Sequence, residues 1–324
     1  HDGLVGINFL HKLQMTTAAS VFGAMLAGVD YIIMGAGIPR ELPKLVRNLA
    51  KLQPGSVPVD VIGGTPLDTT VVPLDFVAAD TKIKLPKFLA IISVDVLGTY
   101  LARDEETRPD GFIIEHNSAG GHNAPPRGKI ELDANGEPIY GPKDIADLEK
   151  MKKLELPFWL AGTFGHPDKV KSALAQGAAG VQVGTLFALS NHSGFSKETR
   201  DALIGKLKDG TFEIKTDIKA SPTGFPIKIA KIEGHTSTPE GFAARPKLCD
   251  LGYLRDPVLA ESGRIIYRCA SEPEDKFLKK GGKEEDIEGR KCLCNGLMAN
   301  IGLAQVRRDG YEEAPIVTLG SDVE

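Results

Sequence analysis

The stretch Gly111-Phe112-Ile113-Ile114-Glu115-His116-Asn117-Ser118-Ala119-Gly120-Gly121-His122 joins an apolar run to a loop of small residues and an imidazole. A continuous apolar run of this kind is typical of a strand that is covered on both faces. The paired glycines let the backbone approach a flat or charged ligand, because no side chain stands in the way. His122 follows at the rim, where an imidazole can move protons near neutral pH. We therefore expect an active site at the end of this strand.

Similar apolar runs recur and alternate with helical patterns over roughly the first 190 residues, which predicts a parallel sheet with helices on its outside. The predicted strands cover residues 5–9, 30–34, 88–93, 111–115, 158–161 and 180–183. A closed TIM (β/α)8 barrel has two strands more than these six. Because the first strand begins almost at His1, we expect an α/β fold of the TIM-barrel type that lacks its first two strands in this chain.

The chain is expected to divide into two parts. Residues 1–194 are predicted to form the barrel core, and residues 195–324 the last barrel helices with an irregular C-terminal extension. An insertion over 54–86 interrupts the strand and helix alternation and is predicted to add one short strand at 57–62. A hairpin turning at Asn135-Gly136 is predicted over 129–140, where it could cover the mouth of a pocket.

Composition excludes several classes of function. With 324 residues, 42% of them hydrophobic, the chain can bury a sizeable globular core. A net charge of −4 without a basic stripe argues against nucleic-acid binding. No apolar run is long enough for a membrane span and no signal peptide is visible, so a cytoplasmic location is expected. The sequence does not indicate an oligomeric state.

The four cysteines all lie in the last quarter of the chain, at Cys249, Cys269, Cys292 and Cys294. A C-x-C pair with two distant cysteines is not a recognised zinc spacing. We interpret them as reduced structural thiols and predict no metal site.

Two successive strand ends suggest a phosphate site. The run Gly180-Val181-Gln182-Val183 leads into Gly184-Thr185, and one strand earlier Leu160-Ala161 leads into Gly162-Thr163. In eight-stranded barrels, phosphate binds after strands seven and eight beside a short extra helix, which residues 196–207 are predicted to supply. The alternative is that these glycines only permit tight turns between strands and helices.

In these motifs the chain resembles the nitronate monooxygenases, formerly called 2-nitropropane dioxygenases. That family consists of FMN-dependent TIM-barrel oxidoreductases related to flavin-dependent enoyl-ACP reductases. The matching segments stand in family order and are Gly6-Ile7-Asn8, Ala119-Gly120-Gly121-His122, Leu160-Ala161-Gly162 and Gly177-Ala178-Ala179-Gly180-Val181-Gln182-Val183-Gly184-Thr185. The later segment at 292–297 is similar to a longer bacterial branch of the family.

The resemblance implies that His122 is the active-site imidazole beside a flavin and its substrate. It implies that FMN is contacted by Asn8, Glu115, Gly120, Gly121, Gly162, Thr163, Gln182, Val183, Gly184 and Thr185. Two positions depart from the family pattern: the family often has glutamine in place of Glu115, and it has Gly-Gly in place of Gly162-Thr163.

The implied activity is FMN-dependent oxidation of alkyl nitronates by O2, with His122 as a base or as a stabiliser of the anion. A different reaction on the same barrel is an alternative, namely reduction of an enoyl thioester or quinone by NAD(P)H. A third hypothesis is a barrel fragment without catalysis, because the first two strands are expected to be absent.

Overall fold

The computed structural model describes residues 3–321 and residue 323, and the largest of its sheets has six parallel strands. The strands are β1 (Gly6–Leu10), β2 (Tyr31–Gly35), β3 (Gly55–Val59), β4 (Leu67–Val71), β5 (Lys87–Ile92), β6 (Gly111–Glu115), β7 (Gly121–His122), β8 (Phe158–Ala161), β9 (Gly180–Gln182), β10 (Ile214–Asp217), β11 (Ile227–Ala230), β12 (Asp256–Leu259) and β13 (Ile265–Arg268). The helices are α1 (Gln14–Leu26), α2 (Leu42–Ala50), α3 (Asp95–Ala102), α4 (Leu148–Lys152), α5 (Pro167–Ala175), α6 (Thr185–Ala188), α7 (Lys197–Asp209), α8 (Pro239–Ala244), α9 (Glu274–Lys279) and α10 (Leu293–Asn300).

The six strands of the parallel sheet run in the order β1-β2-β5-β6-β8-β9, and each lies within one residue of its predicted position. The order follows the chain without a reversal, which is the winding of a barrel rather than of a doubly wound sheet. In the described part of the chain, β1 and β9 are the two edges of this sheet, which curls into a half-barrel. That two further strands would complete the barrel stays a prediction.

The two faces of the parallel sheet are both covered by apolar side chains. The outer face packs against the helices through a large cluster that includes Ile32, Met34, Phe88, Phe112 and Leu160. The inner face carries a smaller cluster of Leu89, Ile91, Ile113 and Ala161, with Tyr31, Ile33 and Trp159 packed against it. Burial on both faces explains why these strands are continuous apolar runs in the sequence.

Two predicted connections lie within the described residues. The insertion over 54–86 forms an antiparallel pair, β3 with β4, instead of a single strand at 57–62. The hairpin predicted over 129–140 is present: Leu132 bridges Pro138, and the backbone N–H groups of Asp133 and Ile139 donate to the carbonyls of Glu137 and Glu131, each at 2.9 Å. At its turn the carboxylate of Asp133 also accepts hydrogen bonds from the backbone N–H groups of Asn135 and Glu137, at 2.8 and 2.9 Å.

The C-terminal region contacts the loop that follows β6. Strand β11 pairs with β10 on one side and with β7 on the other, which places Ile227 opposite His122 and Lys228 opposite Gly121. The backbone N–H of Ala230 donates to the carbonyl of Val317 at 3.0 Å, so a later segment joins the same edge. The division at residue 194 stays a prediction.

None of the helices in residues 3–321 is long and apolar enough to cross a membrane.

Candidate flavin site

A cavity of about 310 Å³ opens at the carboxyl ends of β6, β8 and β9. Ligands of parallel sheets bind at this end of the strands, because the loops that vary in function start there. The cavity is lined by nine of the ten residues for which a flavin contact was predicted, namely Glu115, Gly120, Gly121, Gly162, Thr163, Gln182, Val183, Gly184 and Thr185. Positions separated by up to 70 residues in sequence are therefore neighbours in space.

The cavity wall on the sheet is a row of three residues in register. Glu115 pairs with Ala161 and Ala161 pairs with Gln182, so their side chains leave the same inner face of neighbouring strands. Burial raises the pKa of the Glu115 carboxyl to about 8. At neutral pH this carboxyl is therefore protonated and can donate a hydrogen bond, as the amide of a glutamine would.

Replacing Glu115 with glutamine should remove a pH-dependent loss of stability. The folded chain holds the Glu115 proton up to about pH 8, whereas the unfolded chain releases it near the ordinary value of 4.5. Between these values unfolding releases a proton, so the free energy of unfolding falls as the pH rises. We expect Glu115→Gln to gain stability relative to the parent by up to about 1.4 kcal/mol per pH unit in this window. Urea unfolding at pH 5, 6, 7 and 8 measures it. The exposed Glu131→Gln is the control, and parallel pH profiles for the parent and Glu115→Gln would contradict the expectation.

The turn after β8 is held in a conformation that few residues adopt. Gly162 has φ of +94°, and a Cβ added there would lie 2.8 Å from Ser118 Oγ. Thr163 follows with φ of +58°, which is unfavourable for a β-branched residue. Strained backbone of this kind is concentrated at binding and catalytic sites. The glycine at 162 is therefore required both by its φ and by the close approach of the β6 loop.

The strand β9 ends at Gln182, and α6 begins at Thr185 beside the cavity. The predicted helix over 196–207 is present as α7, but the short helix α6 at the cavity was not predicted. The first backbone N–H groups of a helix have no partner within it, so the start of α6 offers donors to an anion.

A second contribution to the cavity comes from the C-terminal segment, where Thr318, Leu319 and Gly320 line it. The N–H of Gly320 donates to Thr185 Oγ1 at 2.8 Å. These three residues were not among the predicted flavin contacts. A signal was available, because the run 317–320 ends an apolar stretch in glycine, as the run 181–184 does.

His122 lies one residue beyond the cavity lining, on β7. Its Nε2 shares a hydrogen bond of 2.7 Å with Ser221 Oγ, and Ser221 is fully buried at 0% exposure. Ser221 in turn hydrogen-bonds to Thr223 Oγ1 at 2.7 Å. Burial lowers the pKa of the His122 imidazole to about 4, so the ring is neutral at physiological pH.

The contact between His122 and Ser221 should appear as a coupling energy. Residues that share a buried hydrogen bond have non-additive effects on stability, because removing either partner already breaks the bond. We expect His122→Asn and Ser221→Ala to be coupled by about 0.5–3 kcal/mol in a double-mutant cycle of urea unfolding. Ser221→Ala paired with the distant His192→Asn is the control and should be additive. Additive losses for the first pair would show that the two side chains do not interact.

Asn8, the tenth residue predicted to contact the flavin, does not line the cavity. It lies on the edge strand β1, exposed, and pairs with Ile33 of β2. Its register puts it on the inner face of the sheet with Ile33, but it does not line the cavity. Its predicted contact with FMN stays a prediction.

A buried lysine near the glycine loop was also missed. Lys228, opposite Gly121, is 6% exposed, and its ammonium donates to Thr216 Oγ1 at 2.8 Å. Burial lowers the pKa of Lys228. Burial also lowers the pKa of His116, and the charge of Lys228 adds to that effect. The β-strand that carries Lys228 has no feature in the sequence that separates it from other short apolar runs.

Within residues 3–321 and 323, no group of three or more His, Cys, Asp or Glu side chains is arranged to hold a metal ion. The four cysteines are free thiols, and burial raises the pKa of Cys269 to about 11 and that of Cys292 to about 12.

Solved structures that superpose on the chain share little sequence with it. FabK from Thermotoga maritima has 18% identity and a TM-score of 0.43, over 74% of this chain and 56% of that one. A nitroalkane oxidase from Streptomyces ansochromogenes has 15% identity and a TM-score of 0.42, over 71% and 62%. The enoyl reductase domain of MlnA from the macrolactin biosynthesis cluster of Bacillus amyloliquefaciens has 14% identity and a TM-score of 0.40, over 71% and 51%. TM-scores of this size support no statement about activity.

The chain spans 51–62% of the length of these three proteins. No curated protein matches it. The family model of nitronate monooxygenase matches residues 73–224, a segment that contains β6, β8, β9 and most of the residues that line the cavity. Residues 73–224 are therefore a nitronate monooxygenase family domain, and the resemblance found in the sequence is confirmed.

Proposed function

We propose that this chain is an FMN-dependent oxidoreductase that oxidises alkyl nitronates with O2 and uses His122 as the base that forms the nitronate from a neutral nitro compound. One observation carries the proposal: a single cavity at the carboxyl ends of β6, β8 and β9 collects nine of the ten predicted flavin contacts inside the nitronate monooxygenase domain. The substrate would be a small molecule, and O2 would be the second reactant.

The residues around the cavity fit a flavin. Its volume of about 310 Å³ lies at the lower end of the range for small-molecule sites. Gly121 has open space where a side chain would stand, so a flat ring can approach its backbone. The Gly162-Thr163 turn and the start of α6 would offer backbone donors to the phosphate. When bound, FMN would supply the electron transfer from substrate to O2, while the protein supplies binding and orientation.

The protonated carboxyl of Glu115 also suits a bound flavin. It lines the cavity beside Gln182, so the wall on the sheet presents one neutral carboxyl and one amide. Both groups can donate and accept hydrogen bonds, which suits the carbonyl and nitrogen edge of a flavin. A charged glutamate would repel electron density on a reduced ring, and the pKa of about 8 avoids that charge at neutral pH.

Because the His122 imidazole is neutral, a role as base is favoured over a role as a permanently charged stabiliser of the anion. A neutral imidazole can take a proton from the carbon of a nitro compound, and the bond to Ser221 fixes the orientation of the ring. The anion formed beside it would raise the pKa of the imidazole, because opposite charges stabilise each other. Lys228 adds a buried positive charge near the same loop.

Two separate samples without oxygen test the proposed reaction against the reductase alternative. The purified protein, loaded with FMN, is mixed with NADPH in one sample and with the anion of 2-nitropropane in the other. We expect the nitronate to bleach the flavin and air to restore its colour, while NADPH alone leaves the spectrum unchanged. Bleaching by NADPH alone would instead support the reductase. An unchanged spectrum with both reagents would contradict oxidoreductase activity on either substrate class.

A further inference from the structure

The turn Thr318-Leu319-Gly320 is anchored at both ends to elements of the cavity. On one side Val317 accepts a hydrogen bond from Ala230 of β11 at 3.0 Å, and on the other Ser321 donates to the carbonyl of Ser118 at 2.8 Å. Between these anchors the three residues line the cavity. They lie outside residues 73–224, so the family match assigns them no role.

The turn approaches the glycine loop backbone to backbone. A Cβ added to Gly120 would lie 2.6 Å from the nitrogen of Gly320. A Cβ added to Gly320 would lie 2.9 Å from the Ser118 carbonyl and 3.0 Å from Thr185 Oγ1. Contacts this short with backbone leave no room for a side chain at either position. The turn is therefore a fitted wall of the cavity rather than a loosely packed end.

The hydrogen bond from Gly320 determines how the hydroxyl of Thr185 can interact with a ligand. Oγ1 accepts the N–H of Gly320 at 2.8 Å, which leaves the hydroxyl its own hydrogen to donate. Within the described residues no protein acceptor takes that hydrogen. Thr185 lines the cavity, so its hydroxyl can donate that hydrogen to a ligand bound there.

The charges of the residues that line the cavity make a hydroxyl donor such as that of Thr185 important. Among the described residues that line the cavity there is no lysine or arginine, and Glu115 is the one acidic residue. A phosphate bound here would depend on N–H and O–H donors rather than on a cation. Each correctly aimed donor to a charged group then counts more than it would beside a lysine.

We infer that the turn Thr318-Leu319-Gly320 is part of the flavin site and that Gly320 is a positioning residue, which aims the Thr185 hydroxyl at the phosphate of FMN. The inference rests on the proposed function in assuming that a flavin binds in this cavity. It adds a wall from outside the family domain and explains why glycine stands at both 120 and 320.

Riboflavin, which lacks the phosphate, separates positioning from a general structural effect. Apoprotein is titrated with FMN and with riboflavin, and the quenching of flavin fluorescence gives each Kd. We expect Thr185→Val to weaken FMN about 10- to 100-fold, the loss of one hydrogen bond to a charged group, and to leave riboflavin nearly unchanged. Gly320→Ala, whose methyl would displace the turn, should weaken both flavins and FMN more than riboflavin. Thr185→Ser keeps the hydroxyl and should bind FMN like the parent. Gly205→Ala, in open space on α7, is the matched control.

The outcomes are distinguishable. If the parent binds neither flavin, the proposed function fails. If the parent binds FMN and Gly320→Ala keeps the parent's ratio of FMN to riboflavin affinity, the inference about the turn fails alone. Should Gly320→Ala not fold, hydrogen exchange of the parent decides: FMN should slow exchange at the Gly320 and Ser321 amides more than riboflavin does. Equal exchange with both flavins would overturn the inference.

Discussion

His122→Asn is expected to lower kcat for oxidation of a neutral nitroalkane by about 10²- to 10⁴-fold, because the nitronate must first be formed by loss of a proton, while leaving the amount of bound flavin unchanged. The imidazole directly follows the glycine loop, it is held by a 2.7 Å hydrogen bond to buried Ser221, and it is neutral at physiological pH. Asparagine keeps a polar side chain at this position but cannot take a proton. The loss should therefore be in kcat, and flavin affinity should not move.

The pH dependence of activity is a second test of the role of His122 as base. A base works when it is deprotonated, so activity is lost as the pH falls through its pKa. Because burial lowers the pKa of His122 to about 4, the parent should keep its kcat/KM between pH 7 and pH 5, a window that lies below the pKa of about 8 of Glu115. The exposed His192→Asn is the control and should behave like the parent. A His122→Asn variant with nearly full activity, or a parent that loses activity near pH 6.5, would contradict the assignment.

Gly120→Ala should have the largest effect on the cavity itself. The new methyl would lie 2.6 Å from Gly320 N and from Leu319 C, which are backbone atoms and cannot rotate away. The C-terminal turn must move, and inserting a methyl into a packed site costs about 1–3 kcal/mol. We expect that loss in urea unfolding, together with at least about tenfold weaker binding of both FMN and riboflavin.

A matched substitution separates this effect from the general effect of alanine in place of glycine. Gly23→Ala on α1 meets nothing within 4 Å and should keep flavin binding and full stability. Unchanged flavin binding by Gly120→Ala would show that the turn and the glycine loop do not touch as described.

The parallel sheet could be predicted because its signal is local. Strands buried on both faces, such as Lys87–Ile92 and Gly111–Glu115, are continuous apolar runs, and the glycines after Ala161 and Val183 mark the strand ends. Parallel strands bring their carboxyl ends to one edge, so residues at these ends could be expected to meet. The observed cavity has that composition.

The remaining contacts could not be predicted, because they join segments far apart in the chain. Ser221 reaches His122 across 99 residues, and Gly320 reaches Thr185 across 135. Neither serine nor glycine carries a local pattern that names its partner. By contrast, the hairpin turning at Asn135-Gly136 could be predicted, because its sequence signal is local.

Flavin content tests the central claim most directly. The protein is purified, incubated with excess FMN, freed of unbound flavin by gel filtration, and analysed for flavin released on denaturation. We predict one FMN per chain and a yellow protein in the parent, with much less FMN retained by Gly120→Ala. A colourless parent that retains no FMN after this incubation would contradict the claim that the cavity at the ends of β6, β8 and β9 is a flavin site.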